Sequence, residues 1–265
     1  MKYSVSYWCI SHIGKVRRIN QDNYICDGRF LTDADVRCAV PLCGVKSVGD
    51  SPVFGVFDGM GGEECGEAAA YIAAKDASSL TIRKNAASEL FQFCMDANGD
   101  ICRYADENGI ISMGTTAAML AFTRDGVTLC NIGDSKIFRL CGGVLEQISK
   151  DHVGVAAFGA KPPLSQNLGI PPTELIIEPY LAQGACSYGD IYLICSDGLT
   201  DRVSSEKIAE VLTSGSIDEA GSELLNDALK SGGRDNITII LCKIERESGW
   251  FFKRKRKTKE REDQR

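Results

Sequence analysis

The sequence predicts an α+β fold in which antiparallel sheets carry helices on their outer faces. Short apolar runs between residues 115 and 148 are separated by turn pairs at Asp125-Gly126, Gly133-Asp134 and Gly142-Gly143, the pattern of a meander. Helical stretches come in pairs, two before that run and two after it. Strands and helices are therefore segregated along the chain, without the alternation that builds a parallel sheet.

Taken in order, residues 53–57 (VFGVF) form an apolar run closed by Asp58 and a glycine cluster, which predicts a buried strand ending in a loop. Residues 63–84 are rich in alanine and acid and predict a helix. A second helix is predicted over 88–105, where Leu90, Cys94, Ala97, Ile101 and Ala105 recur at three- and four-residue spacing. The meander segments are 115–123, 127–132, 136–140 and 144–148. Residues 153–185, with Pro162-Pro163 and Pro171-Pro172, predict a long loop or flap over the body. Residues 190–196 (DIYLICS) predict another buried strand. Ser204 caps a helix to about residue 213, and Ser216 with Glu219 forms a capping box for another to about 230. Residues 236–244 (NITIILCKI) close the body as a strand.

The body thus runs from residue 1 to about 245 without a linker, and residues 246–265 form a basic tail. In the tail, Trp250-Phe251-Phe252 precedes KRKRKTK. It reads either as a solvated terminus or, over 250–259, as a weak contact with an anionic membrane or a partner.

The 265 residues are 44% hydrophobic and 25% charged, which excludes collagen-like, mainly disordered and membrane-spanning classes. A net charge of −6 argues against nonspecific nucleic-acid binding by the body. The N-terminus lacks a continuous apolar stretch with a small-residue cleavage site, so no secretory signal is read. Twelve cysteines lie at irregular spacings, several inside apolar segments, and read as small buried hydrophobes in a reducing, cytoplasmic setting. With no CxxC and two histidines, a structural zinc site is not expected.

Five aspartates stand beside short apolar runs and next to turn-forming or polar residues: Asp22, Asp58, Asp134, Asp197 and Asp235. Each alone is accounted for by capping or an Asx turn. As a set at strand ends they can converge, and crowded carboxylates repel unless a cation neutralises them. Oxygen-only ligands suit Mg²⁺ or Mn²⁺. Glycines after Asp58 and Asp197 would let the backbone approach closely and expose a carbonyl.

The blocks GKVRRINQDN, FGVFDGMGGEECGEAAA, MGTTAAML, NIGDSKIFRL, KDH, GDIYLICSDGLTD and GGRDNITIIL occur in this order over residues 5–244. In order and separation they resemble the protein phosphatase 2C family of metal-dependent Ser/Thr phosphatases, and DGMGG resembles its bacterial branch. The resemblance implies an αββα sandwich of two antiparallel sheets flanked by helix pairs. It implies two or three Mn²⁺ or Mg²⁺ ions at one end. Asp58 would bridge two of them, with the Gly59 carbonyl on one. Asp197 and Asp235 would hold the other, and Asp22 would contribute directly or through water. Asp134 with Asp197 matches a weaker third site.

Arg17 matches the arginine that grips substrate phosphate, bidentately, with neighbouring Arg18 a solvated or substrate-rim residue. The implied partners are phosphorylated proteins, with a cognate Ser/Thr kinase and its substrates among them, and no nucleic acid. Met60 departs from the animal-type pattern, which places a proton-donating histidine there. Leaving-group protonation would then fall to water on the ions near Asp134. His152 in KDH reads as a capping or packing residue on the strand-to-flap turn, and His12 as structural or at the cleft rim. Thr115 and Thr116 read as core residues with satisfied hydroxyls, and Asn236 as orienting Asp235 or a water.

Overall fold

The protein is represented by a computed structural model that describes residues 3–32, 40–60, 65–156 and 162–247. Its strands are β1 (Tyr3–His12), β2 (Asp22–Cys26), β3 (Leu42–Ser47), β4 (Val53–Met60), β5 (Gly114–Thr115), β6 (Ala117–Thr123), β7 (Gly126–Ile132), β8 (Lys136–Cys141), β9 (Val144–Gln147), β10 (Tyr180–Gly184), β11 (Ile191–Cys195) and β12 (Ile237–Arg246). Its helices are α1 (Gly66–Ser78), α2 (Ala86–Asn108), the short α3 (Asp197–Thr200), α4 (Ser205–Ser214) and α5 (Ile217–Lys230).

One sheet has the order β3-β1-β12-β11-β8-β9 and the other β10-β7-β6-β4-β2, with β5 attached to β4. Every named pairing is antiparallel. Both sheets are covered on both faces, so their central strands are apolar on alternate sides and buried throughout. Val5, Tyr7 and Cys9 of β1 and Ile240, Cys242 and Ile244 of β12 face the other sheet, meeting Phe54, Val56, Leu120 and Phe122. Trp8, Ile10, Ile239 and Leu241 point the other way, into Ile208, Leu212 and Leu224 of α4 and α5. On the far side Phe57, Ala117, Met119 and Ala121 pack under α1 and α2. The result is the expected αββα sandwich.

Residue size sets the layer spacing. Five alanines (Ala69, Ala70, Ala73, Ala74, Ala77) form the buried face of α1 and let it lie close on its sheet. On the opposite face, Gly221 of α5 admits the ring of Trp8, because a Cβ there would stand 2.3 Å from Trp8 Cε3.

Several expectations need correction. The helix predicted over 63–84 ends at Ser78, because the Ser78 and Ser79 hydroxyls donate back to the carbonyls of Lys75 and Asp76 and Asn85 begins the next helix. The helix predicted over 88–105 runs from Ala86 to Asn108 and stops at Gly109, whose φ is +67°. The 153–185 segment is not all loop, since Tyr180–Gly184 pairs with β7 as an edge strand. Residues 157–161 of that segment, and 248–265 of the tail with its 250–259 aromatic-basic stretch, lie outside the described residues. The cap at Ser204 and the Ser216–Glu219 capping box are present as expected. Among the described residues no helix is long and apolar enough to cross a membrane.

Candidate metal centre

The antiparallel registers bring one set of strand ends together. Asp22 pairs with Asp58, Ala117 with Ile132, Cys195 with both Lys136 and Ile239, and His12 with Ile237. Asp22 opens β2, and Asp58 lies near the end of β4. Asp134 is in the β7–β8 turn, Asp197 follows β11 and Asp235 precedes β12. All five aspartates therefore stand at one end of the sandwich.

Close backbone contacts fix this convergence. A Cβ on Gly59 would stand 2.5 Å from the Gln21 carbonyl, and the Gly59 N–H donates to that oxygen at 3.1 Å. A Cβ on Gly198 would stand 1.9 Å from the Asn236 carbonyl. The glycine after Asp58 thus abuts the residue before Asp22, and the glycine after Asp197 abuts the residue after Asp235. Both DG pairs need glycine so that two aspartate-bearing segments can touch.

Asp22 and Asp58 face each other directly across β2 and β4, and like charges so placed destabilise a sheet. Asp22 is buried, and Thr238 Oγ1 and Ser196 Oγ donate to its Oδ2 at 2.6 and 2.7 Å. Burial pushes its pKa up to about 7, the two hydroxyls oppose that rise, and Asp197 and Asp235 add to it. The pKa of Asp58 is raised well above the usual carboxylate range, first by the protein packed around it, then by Asp22, Asp197, Asp134 and Asp235. Each neighbour in that series is another member of the predicted set.

Among the described residues no three acidic, histidine or cysteine side chains are drawn tightly enough together to hold an ion as they stand. The donor chemistry nevertheless fits a hard divalent cation: oxygen ligands only, with a net negative charge that favours one.

Arg17 stands on the 13–21 loop, and its Nη2 donates to Asp235 Oδ2 at 2.8 Å, with both side chains partly exposed. The Asp235 hydrogen bond is the main reason its pKa is raised, and Asp58 and Asp197 also contribute. Arg18 lines a cleft of about 1080 Å³ that opens beside Asp22 and runs past Tyr71, Lys75 and Arg103 of α1 and α2. Met60 ends β4 beside Gly114 and presents no titratable group.

The loop that carries Arg17 is held by Asn236. Its buried side chain donates to the carbonyls of Ile13 and Ile19 and accepts from Gln21 N–H. Its own N–H donates to Asp235 Oδ1 at 2.8 Å. Thr116 is buried as expected, and its hydroxyl also bridges: it accepts from Asp58 N–H and meets Ser135 Oγ at 2.7 Å. His12 and His152 each accept a glycine N–H at Nδ1, from Gly14 and Gly133 respectively, and burial lowers the pKa of both.

Sequence reasoning missed Ser196 and Thr238, the two donors to Asp22. The available signal was a hydroxyl near two candidate ligands, immediately before Asp197 in CSDGL and three residues after Asp235 in DNITI.

No family model matches the chain. It is 32% identical over 204 residues to the serine/threonine protein phosphatase PstP of Mycobacterium tuberculosis, across 71% of this chain and 39% of that protein. The chain therefore spans about two fifths of that relative's length. It is 26% identical over 254 residues to the serine/threonine phosphatase Stp of Listeria monocytogenes, across 88% of this chain and 93% of the relative. The crystal structure of the PstP catalytic domain in complex with two manganese ions superposes with a TM-score of 0.75 at 26% identity, covering 92% of this chain and 99% of that one. PppA of Pseudomonas aeruginosa superposes with a TM-score of 0.73 at 25% identity, covering 91% and 99%.

Proposed function

We propose, because this chain belongs to the protein phosphatase 2C family, that it is a metal-dependent phosphatase acting on phosphoserine and phosphothreonine in proteins. The observation that carries the proposal is the facing of Asp22 and Asp58 at the sandwich end where Asp134, Asp197 and Asp235 also lie. A buried and a half-buried carboxylate placed opposite each other are a cost to the fold that a divalent cation would offset.

Asp58, with the Gly59 carbonyl, Asp197 and Asp235 would hold two Mn²⁺ or Mg²⁺ ions. Asp22 would ligate directly or through water, and Asp134 with Asp197 would hold a weaker third. When bound, such ions supply an activated water for in-line attack on phosphorus and neutralise phosphoryl charge.

The remaining work falls to the chain's own groups. Arg17 swings from Asp235 to grip two phosphoryl oxygens, a fork that lysine does not reproduce. Ser196 and Thr238 keep Asp22 oriented by donating to its Oδ2. Arg18 and the cleft beside it receive the polypeptide that carries the phosphate. Met60 cannot donate a proton, so protonation of the serine or threonine oxygen does not come from that position. The reading further takes residues 1–245 as one phosphatase domain that works in the cytoplasm and opposes a Ser/Thr kinase on shared substrates.

Phosphate release from a phosphothreonine peptide tests the proposal, with Mn²⁺, Mg²⁺ and EDTA compared for wild type and Asp197→Asn. Activity that needs a divalent ion and vanishes in the variant is expected. A folded wild type that is inactive in every metal would overturn it and make the chain a binding module.

A further inference from the structure

The Asp134 turn is gripped from one side by residues 150–152. Asn131 Nδ2 donates to the Lys150 carbonyl at 2.7 Å, and Lys150 N–H returns to Asn131 Oδ1 at 3.0 Å. Lys136 pairs with Asp151. Between the tied residues Asn131 and Lys136 lies Gly133, held by His152, whose N–H donates to the Gly133 carbonyl at 2.9 Å and whose Nδ1 accepts from Gly133 N–H at 3.3 Å. Of these contacts, only those of His152 reach the residue that immediately precedes Asp134.

Gly133 has φ +97°, and a Cβ there would stand 2.5 Å from Thr116 Cγ2, so glycine is required at this point. Glycine is also the residue whose flanking peptides rotate most easily. His152 secures both of them, the N–H on one side and the carbonyl on the other. The carbonyl side carries the amide of Asp134, and the Asp134 carboxylate is near enough to Asp58 to raise its pKa.

We propose that His152 is a positioning residue for Asp134, holding the Gly133 amide through Nδ1 so that the Asp134 carboxylate is presented to the ion site. Its importance for turnover rests on the phosphatase reading above, but its test does not. Because the ring's contact is an acceptor at Nδ1, asparagine, whose Oδ1 occupies the corresponding place, should substitute for it. Glutamine, whose acceptor lies one bond further out, should not.

The experiment is calorimetric titration of the full chain with Mn²⁺ for wild type, His152→Ala, His152→Asn, His152→Gln, Asp134→Ala and the Asp134→Ala/His152→Ala double variant. Thermal melting in EDTA reports folding. His152→Ala should weaken the weakest class of Mn²⁺ sites about tenfold, His152→Asn should recover most of the loss, and His152→Gln should not. The double variant should bind as Asp134→Ala does, since the histidine acts through that carboxylate. Further loss in the double variant, or His152→Asn as weak as His152→Ala, would overturn the proposal, as would an Asp134→Ala variant that binds like wild type. If His152→Ala does not fold, the Asn–Gln comparison decides. A wild type that takes up Mn²⁺ yet releases no phosphate would overturn the phosphatase reading and leave this one decided by the titration.

Discussion

Arg17 Nη2 reaches Asp235 Oδ2 at 2.8 Å, so the side chain proposed to grip phosphate is joined to one proposed to hold an ion. The two roles compete for the same carboxylate. Arg17→Ala should raise KM for a phosphothreonine peptide about tenfold by removing a charge-assisted fork. It should also lower the Mn²⁺ concentration for half-maximal rate, by no more than about fivefold, because an exposed pair is worth up to about 1 kcal/mol. Initial rates varied in peptide and in Mn²⁺ measure both. An increased Mn²⁺ requirement would show that Arg17 supports the ion site and does not compete with it.

The facing of Asp22 and Asp58 makes metal removal a stability experiment. Mn²⁺ should raise the melting temperature of the wild type, because an ion that binds only the folded chain stabilises it. Asp58→Asn should abolish turnover, lose most of the Mn²⁺-dependent rise, and melt above wild type in EDTA by about 2–4 °C, as relief of about 1 kcal/mol of repulsion predicts. Scanning calorimetry with and without EDTA reads each part.

Asn236 ties three points of the Arg17 loop, at Ile13, Ile19 and Gln21. Asn236→Ala leaves these backbone groups without that partner and should destabilise the protein by about 2–4 kcal/mol. Under conditions where the variant remains folded, KM for phosphopeptide should rise far more than the Mn²⁺ requirement. Urea denaturation and steady-state kinetics are the two measurements. An unchanged KM would detach Asn236 from phosphate binding.

Gly221 offers a control away from the carboxylates. Alanine there would drive its methyl into the Trp8 ring and should destabilise the fold by about 1–3 kcal/mol. The Mn²⁺ dependence of the folded enzyme should not move. Urea midpoints compared with rate against Mn²⁺ separate the two effects.

The elements most legible in the sequence are those with local punctuation. Asp125-Gly126 and Gly142-Gly143 mark hairpins that the structure forms between β6 and β7 and between β8 and β9, and Ser216 with Glu219 caps α5. Four strands escaped, β1, β2, β3 and β10, of which β2, β3 and β10 are edge strands. In β3 no residue is fully buried, and Gly44 accommodates the Tyr7 ring, so the apolar alternation that reveals a strand is absent. In β10 all five residues are partly or fully exposed, and the strand hides among prolines and turns. The five aspartates were legible as recurrent strand-end acids, but their convergence is a matter of register between segments far apart in the chain. Ser196 and Thr238 reach Asp22 from 174 and 216 positions away, a relation that no local pattern contains.

Tyr3 pairs with Arg246, whereas His12 pairs with Ile237 beside the carboxylates. The first and last described strands thus enter and leave the sandwich side by side, at the end away from the five aspartates. Ten residues of extended chain separate the two ends, roughly 30 Å at the rise of a β-strand. A reporter, an anchor or a second domain leading directly from either of these strand ends would hang from the same side and leave the cleft beside Asp22 open. A tether placed there would set where the chain works without crowding the five aspartates.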